Sequence, residues 1–498
     1  MKIKNYRLIP VFLLIGALLA VLALRSTSVT TTTPNTRPFR LGLVGRQFSI
    51  DPAFVRTHEE ILMSSAIYEP LLRFDQASGT LRPALARTWG YSANGRSIVF
   101  MLGSAHFHNG RPVTAEDVKK SWERSLSTGD NPARVNLFSS IEGAEDFYNN
   151  NAQDIYGLKA ENDQTLRVML KHPDSAFVYK ITNPAFWVTG GAEKDSLPPG
   201  TGPFLAAELK PESRFKAAFF NKYYGKTPKV SAVEFIFYND ESAALAAFKE
   251  GKLDLLDSVP YDEIKNIQSD QRYVKCLYKT PLFGFCAIGM NVHRHPFNDP
   301  VLRRALNYAV NRSSITKSVL GEVGLPQKGV LPQELPGYSQ SLRGYSYNPE
   351  AANELLDETD YLTSSNPPDI KYAFNSDQGQ QRLAEAISAQ LSSVGVSTQL
   401  FPVSWETYPD KLSTMSYDFF RLGWDADYPD PDAFLYPLFH SSLIGLSNFT
   451  AYSNPQVDRL LESARAQTKN NNERIKLLQR AEKIIIDDAP MVWLFQKE

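Results

Sequence analysis

Phe107-His-Asn-Gly110 runs into Val113-Thr-Ala-Glu-Asp-Val118. Thr114 and Asp117 have capping-box spacing, with Asp where Glu or Gln is usual; each side chain satisfies the other residue's backbone N–H. The pattern predicts a helix opening at Ala115, with Val118, Trp122 and Leu126 on one apolar face. Upstream, Leu81–Trp89 leads into a strand-like run, Ile98–Leu102. Downstream, Val230–Phe237 alternates as a strand does, and Ala243–Phe248 reads as a helix stopped by Gly251. Val301, Leu302, Ala305, Leu306, Ala309 and Val310 recur at helical spacing, as do Leu383, Ile387, Leu391 and Val394. Gly395 then precedes a strand-like Val396–Leu400, and Leu460, Leu461, Ile475, Leu478 and Ile485 mark late helices. The chain reads as an α/β mixture without a regular βαβ repeat.

A chain of 498 residues has room for roughly three structural units. Lys and Arg total 53 against 54 Asp and Glu, a formal net charge of −1, so no basic footprint for nucleic acid exists. The two cysteines, Cys276 and Cys286, exclude a disulfide scaffold and a four-Cys zinc site. They flank the Pro281–Gly284 turn region, and a single bridge or two thiols both fit.

Lys2, Lys4 and Arg7 precede the uncharged run Leu8–Leu24. A basic stretch followed by an apolar one is an export signal, and Val21-Leu22-Ala23 offers a cleavage site. The run has 17 residues, at the lower limit for a membrane span, so residues 1–25 read as a signal peptide or a signal anchor. Positive charges before the run put the body of the protein outside the cytoplasm. The Thr-rich tract 26–36 reads as a linker.

The sequence has no G-x-S-x-G elbow, phosphate loop or H-E-x-x-H. His106/His108 and His293/His295 have the spacing of metal pairs but lack an evident third ligand, and we assign no metal and no cofactor. Asp425, Asp427, Asp430 and Asp432 form an acidic run within Trp424–Asp432. Its two prolines and missing glycine argue against a calcium loop. A solvated turn accounts for it, as does a site where a carboxylate and ring faces meet an ammonium group.

Five segments, in order, resemble the family 5 solute-binding proteins of bacterial ABC importers, the oligopeptide- and dipeptide-binding proteins. They are Ile50-Asp-Pro52 with Ile67-Tyr-Glu-Pro-Leu-Leu72; Phe107–Val118; Gly200-Thr-Gly-Pro-Phe204 with Tyr224-Gly-Lys-Thr-Pro228; Met290-Asn291 with Pro296–Leu306; and Gly423-Trp-Asp-Ala-Asp-Tyr-Pro-Asp-Pro431. The resemblance covers about residues 40–495.

The resemblance implies a two-lobed periplasmic-binding-protein fold of the α/β class, with a hinge and an additional third domain. It maps residues 37–67, 169–280 and 486–498 to the first lobe, 68–168 to the added domain and 281–485 to the second lobe. Such lobes close on a ligand by hinge motion. The implied activity is capture of short peptides for an ABC permease and ATPase, by a monomer without catalysis. Alternatives are a membrane-tethered peptide sensor, or a binder of a metal chelate, opine or sugar. By resemblance, Asp427 takes the peptide α-ammonium, Arg421 takes a peptide carboxylate, and Gly423 and Asp425 hold peptide backbone through main-chain groups. Trp405 resembles a pocket-wall Trp, and Trp424 and Tyr428 are further aromatic candidates. Gly200–Phe204 and Tyr224–Pro228 read as turn chemistry that serves the fold.

Overall fold

The computed structural model describes residues 37–45, 48–128, 132–191, 196–260, 263–342, 344–363 and 369–498. The apolar run and the Thr-rich linker lie outside these residues. The described chain divides into two compact units, one ending at Lys275 and the other running from Cys276 to Glu498.

The first unit holds β1 (Phe39–Val44), a hairpin of β2 (Leu72–Asp75) and β3 (Thr80–Pro83), and the strands β4 (Ala86–Tyr91), β5 (Ser97–Leu102), β6 (Leu158–Asn162) and β7 (Thr165–Met169). It continues with β8 (Phe204–Lys210), β9 (Arg214–Phe219), β10 (Ala232–Tyr238) and the short β11 (Leu255–Leu256). One sheet has the order β11-β1-β10-β9-β8, and a second, antiparallel sheet has the order β4-β5-β7-β6. The helix over Ala115–Ser127 opens with the predicted box: the Thr114 N–H donates to the Asp117 carboxylate at 2.9 Å, and the Asp117 N–H donates to the Thr114 hydroxyl at 3.3 Å. Trp122 on its buried face donates to the Phe186 carbonyl, and their rings meet edge to face at 4.9 Å.

Three of the five resembling segments hold this unit together. The Gly202 N–H donates to the Ile67 carbonyl at 2.8 Å, and the His108 N–H to the Gly200 carbonyl at 2.8 Å. His108 Nε2 donates to the Gly202 carbonyl at 3.0 Å, so His108 is spent on the fold. The Tyr223 hydroxyl, beside Tyr224, donates to Glu69 at 2.7 Å. A Cβ at Gly200 would stand 2.0 Å from the Ile67 oxygen, which is why glycine is required there.

The second unit is built on β12 (Gly284–Met290), β13 (Leu325–Pro326), β14 (Ile370–Asn375), β15 (Thr398–Val403), β16 (Phe419–Asp425) and β17 (Met491–Gln496). The order is β13-β17-β12-β16-β14-β15; β16, β14 and β15 run parallel, and β12 opposes β16. Ile288, Met290, Tyr372, Phe419, Val492 and Leu494 meet Leu302, Leu306, Leu383 and Ile387 of two helices in one buried core.

Residues 486–498, expected in the first lobe, are hydrogen-bonded into this second unit instead. Met491 to Leu494 are wholly buried, and β17 pairs antiparallel with β12. Arg312 donates to the Trp493 carbonyl at 2.6 Å, and Asn307 to the Met491 carbonyl at 2.9 Å. An apolar strand covered on both faces belongs in a sheet interior, and this is the sheet that offers one. Cys276 and Cys286 are both thiols, the first exposed and the second buried.

Candidate functional site

Alternation along β16 sends Phe419, Arg421, Gly423 and Asp425 to one face of the sheet. Their partners across β12 are Met290, Ile288, Cys286 and Gly284. At the Phe419 end this face is apolar core, where Phe419 stacks on Phe297 at 5.4 Å. Towards the carboxyl end it turns polar. The other face carries Phe420, Leu422 and Trp424, and the Trp424 indole N–H donates to the Ala433 carbonyl at 2.9 Å. The polar end therefore lies at the carboxyl termini of three parallel strands, where open α/β sheets place their ligands.

Two glycines shape this end. A Cβ at Gly423 would stand 2.9 Å from Arg421 Nη2, so the guanidinium lies along its own strand over Gly423. A Cβ at Gly284 would stand 2.0 Å from Asp425 Oδ1, so the Asp425 carboxylate lies over Gly284 across the ladder. Gly423 thus leaves room for the Arg421 guanidinium. The Arg421 guanidinium lies beside Cys286, Tyr408 and Tyr372. Its Nε and the Tyr372 hydroxyl are buried with no hydrogen-bond partner among the described residues. Such groups are costly to bury and mark where an anionic or acceptor group would be welcome.

The acidic run separates by role. Lys497 Nζ lies 2.7 Å from each Asp425 carboxylate oxygen. Asp430 is paired with Arg474, and Arg465 grips Asp432 with two bonds of 2.8 Å. The Tyr428 hydroxyl donates to Asp432 at 2.7 Å. These contacts lock the loop into the helix Asp432–Phe439. Asp427 is half-buried, and burial, reinforced by the charge of Asp425, pushes its carboxyl up to about 7. Burial raises the Asp425 carboxyl too, but Lys497 and then Arg421 oppose that rise.

Trp405 follows β15 and keeps 37% of its surface exposed. Its ring stacks on Tyr408 at 6.4 Å, and Tyr408 stacks on Tyr417 at 5.7 Å. The Tyr408 hydroxyl lies 2.7 Å from the Arg421 carbonyl and 3.1 Å from that of Ala373, tying β16 to β14. The sheet therefore gathers Arg421, Gly423 and Asp425 on one face, Asp427 just beyond them, and Trp405 linked through Tyr408. The polar tips of Trp424 and Tyr428 are engaged in the fold. Lys497, Gly284 and Tyr408 complete the site and carried no signal in the sequence, because only the strand pairing brings them here.

Residues 80–445 match the bacterial extracellular solute-binding proteins, family 5, over the middle region. The chain belongs to that family. Among family 5 relatives, heme-binding protein A of Haemophilus influenzae is 28% identical over 459 residues, covering 86% of this chain and 81% of that protein. The oligopeptide-binding protein OppA of Bacillus subtilis is 26% identical over 475 residues, covering 90% of this chain and 85% of the relative. The solved structure of MppA, a periplasmic murein tripeptide binding protein in an unliganded open form, superposes with a TM-score of 0.81 at 24% identity, covering 93% of this chain and 92% of that one. The family 5 protein described above has that same two-lobed α/β fold.

Proposed function

We propose that this protein captures short peptides outside the cytoplasm and hands them to the permease and ATPase of an ABC importer, without chemistry of its own. The observation that carries this reading is the pairing of opposite charges at one strand end. Arg421 presents a buried, incompletely bonded guanidinium, and Asp427 presents a half-buried carboxyl with raised proton affinity. A peptide brings an ammonium and a carboxylate, and each needs a partner once water is excluded. In this reading Asp427 receives the α-ammonium, Arg421 receives a carboxylate, and main-chain groups at Gly423 and Asp425 hold the backbone independently of sequence. Trp405 forms an aromatic wall for side chains. Relatives named as oligopeptide- and dipeptide-binding proteins support the same ligand class.

A second reading, a non-peptide solute, is favoured by the relative named heme-binding protein A. Native mass spectrometry of the protein purified without refolding separates the two. Adducts that fragment as short peptides support the first reading. A single non-peptide mass overturns it.

Export relies on residues 1–25, as a cleaved signal or as an anchor to the inner membrane. Sequencing the N-terminus of the mature protein decides which. A retained Leu8–Leu24 favours the tethered form, including the peptide-sensing role.

A further inference from the structure

Lys497 is held from both sides. Its N–H donates to the Gly284 carbonyl at 3.0 Å, and its carbonyl accepts from Leu282 at 2.8 Å. The neighbouring Gln496 side chain donates to the Leu282 carbonyl at 3.0 Å, and the Glu498 carboxylate accepts from the Gly324 N–H at 2.8 Å. With its backbone fixed, Lys497 reaches the Asp425 carboxylate with both oxygens at 2.7 Å, in the space that Gly284 leaves open.

Asp425 and Asp427 are neighbouring carboxyl groups that repel one another as anions. In such a pair, the member better stabilised as an anion takes the charge, and the other holds its own proton longer. Other charged groups on these elements include Arg421 on β16 and, further along the chain from Asp427, the ion pairs Asp430–Arg474 and Asp432–Arg465. Tyr428 is bonded to Asp432, while Cys286, Tyr372 and Tyr408 surround Arg421. Lys497 is the cation bonded to both oxygens of Asp425, and so it biases the pair.

We propose that Lys497 is a positioning residue that keeps the negative charge on Asp425, so that Asp427 is the carboxyl that holds a proton in the empty site and releases it to water when a ligand ammonium arrives. Ligand capture is then coupled to proton release, and acid weakens it. The ligand half of this statement rests on the reading of Asp427 given above; the assignment of charge between the two carboxyls does not.

The test is residue-resolved carboxyl 13C NMR on the ligand-free full chain, as wild type, Lys497→Met, Lys497→Arg and Asp425→Asn. In the wild type, Asp427 should titrate at higher pH than Asp425. In Lys497→Met the order should reverse, with the Asp427 midpoint falling by about one pH unit, a tenfold change in proton affinity. Asp425→Asn should lower the Asp427 midpoint as well, and Lys497→Arg should preserve the wild-type order. Should Lys497→Met fail to fold, Lys497→Gln removes the charge while keeping a polar side chain and should lower the Asp427 midpoint likewise; an unchanged midpoint there overturns the proposal. An Asp427 midpoint that Asp425→Asn lowers and Lys497→Met leaves in place overturns the proposal. A reversed order together with equal binding of free and N-acetylated peptide upholds the role of Lys497 and overturns the ammonium reading instead.

Discussion

The guanidinium of Arg421 occupies the space that a side chain at Gly423 would fill, with Nη2 2.9 Å from the ideal Cβ position. Two residues on one face of β16 are therefore a single device: the glycine sets where the cation sits. The obstacle to a larger residue is the far end of a flexible side chain, so Gly423→Ala should fold, at a cost of about 1 kcal/mol. Its effect should fall on recognition. Titration calorimetry should show affinity for a peptide with a free carboxylate dropping about tenfold, equivalent to about 1.4 kcal/mol, with that for the C-terminally amidated peptide unchanged.

Arg474 and Asp430 are both buried, with side-chain exposures of 2% and 1%. Removing one partner of such a pair leaves an uncompensated charge, so Arg474→Ala should destabilise the protein by about 3–5 kcal/mol. Urea unfolding followed by tryptophan fluorescence measures this. A loss under about 1 kcal/mol would mean that the loop after β16 is not held by this pair.

Among the described residues, burial pushes the carboxyls of Glu69, Asp427 and Glu482 up to about 7. Each holds its proton more tightly folded than unfolded. Their stabilising effect is complete below the ordinary carboxylate range and is lost as pH rises through about 7. The ligand-free protein should therefore lose stability between pH 5 and pH 8, by at least about 1 kcal/mol per group. Differential scanning calorimetry at several pH values reads this directly, and Asp427→Asn should flatten part of the slope. A melting temperature that rises over the same interval would contradict it.

Much of the fold was legible because it rests on local rules. Thr114 and Asp117 marked a helix start, and the structure forms that box. The helical spacing of Leu383, Ile387 and Leu391 corresponds to the helix Gln378–Ser392, and the alternation near Val230 to strand β10. The strand read at Val396–Leu400 is Thr398–Val403, a shift of the kind that short apolar runs permit. Distant pairings were not legible. Nothing local tells Asp425 that its partner is Lys497, or that Asp430 and Asp432 belong to Arg474 and Arg465. The four aspartates look alike in sequence, and only the folded chain distinguishes the three held in these ion pairs from Asp427 beside them. The pairing of β17 with β12 was not legible for the same reason: it is fastened by Arg312 and Asn307, nearly two hundred residues earlier.

The central claim is that Asp427 receives the amino terminus of a peptide. Titration calorimetry of one short peptide, with its amino terminus free or acetylated, against the wild type and Asp427→Asn tests it most directly. Removing either charge should cost at least about 2 kcal/mol, and removing both should cost little more than removing one. Equal affinity of the wild type and Asp427→Asn for the free peptide would contradict the claim.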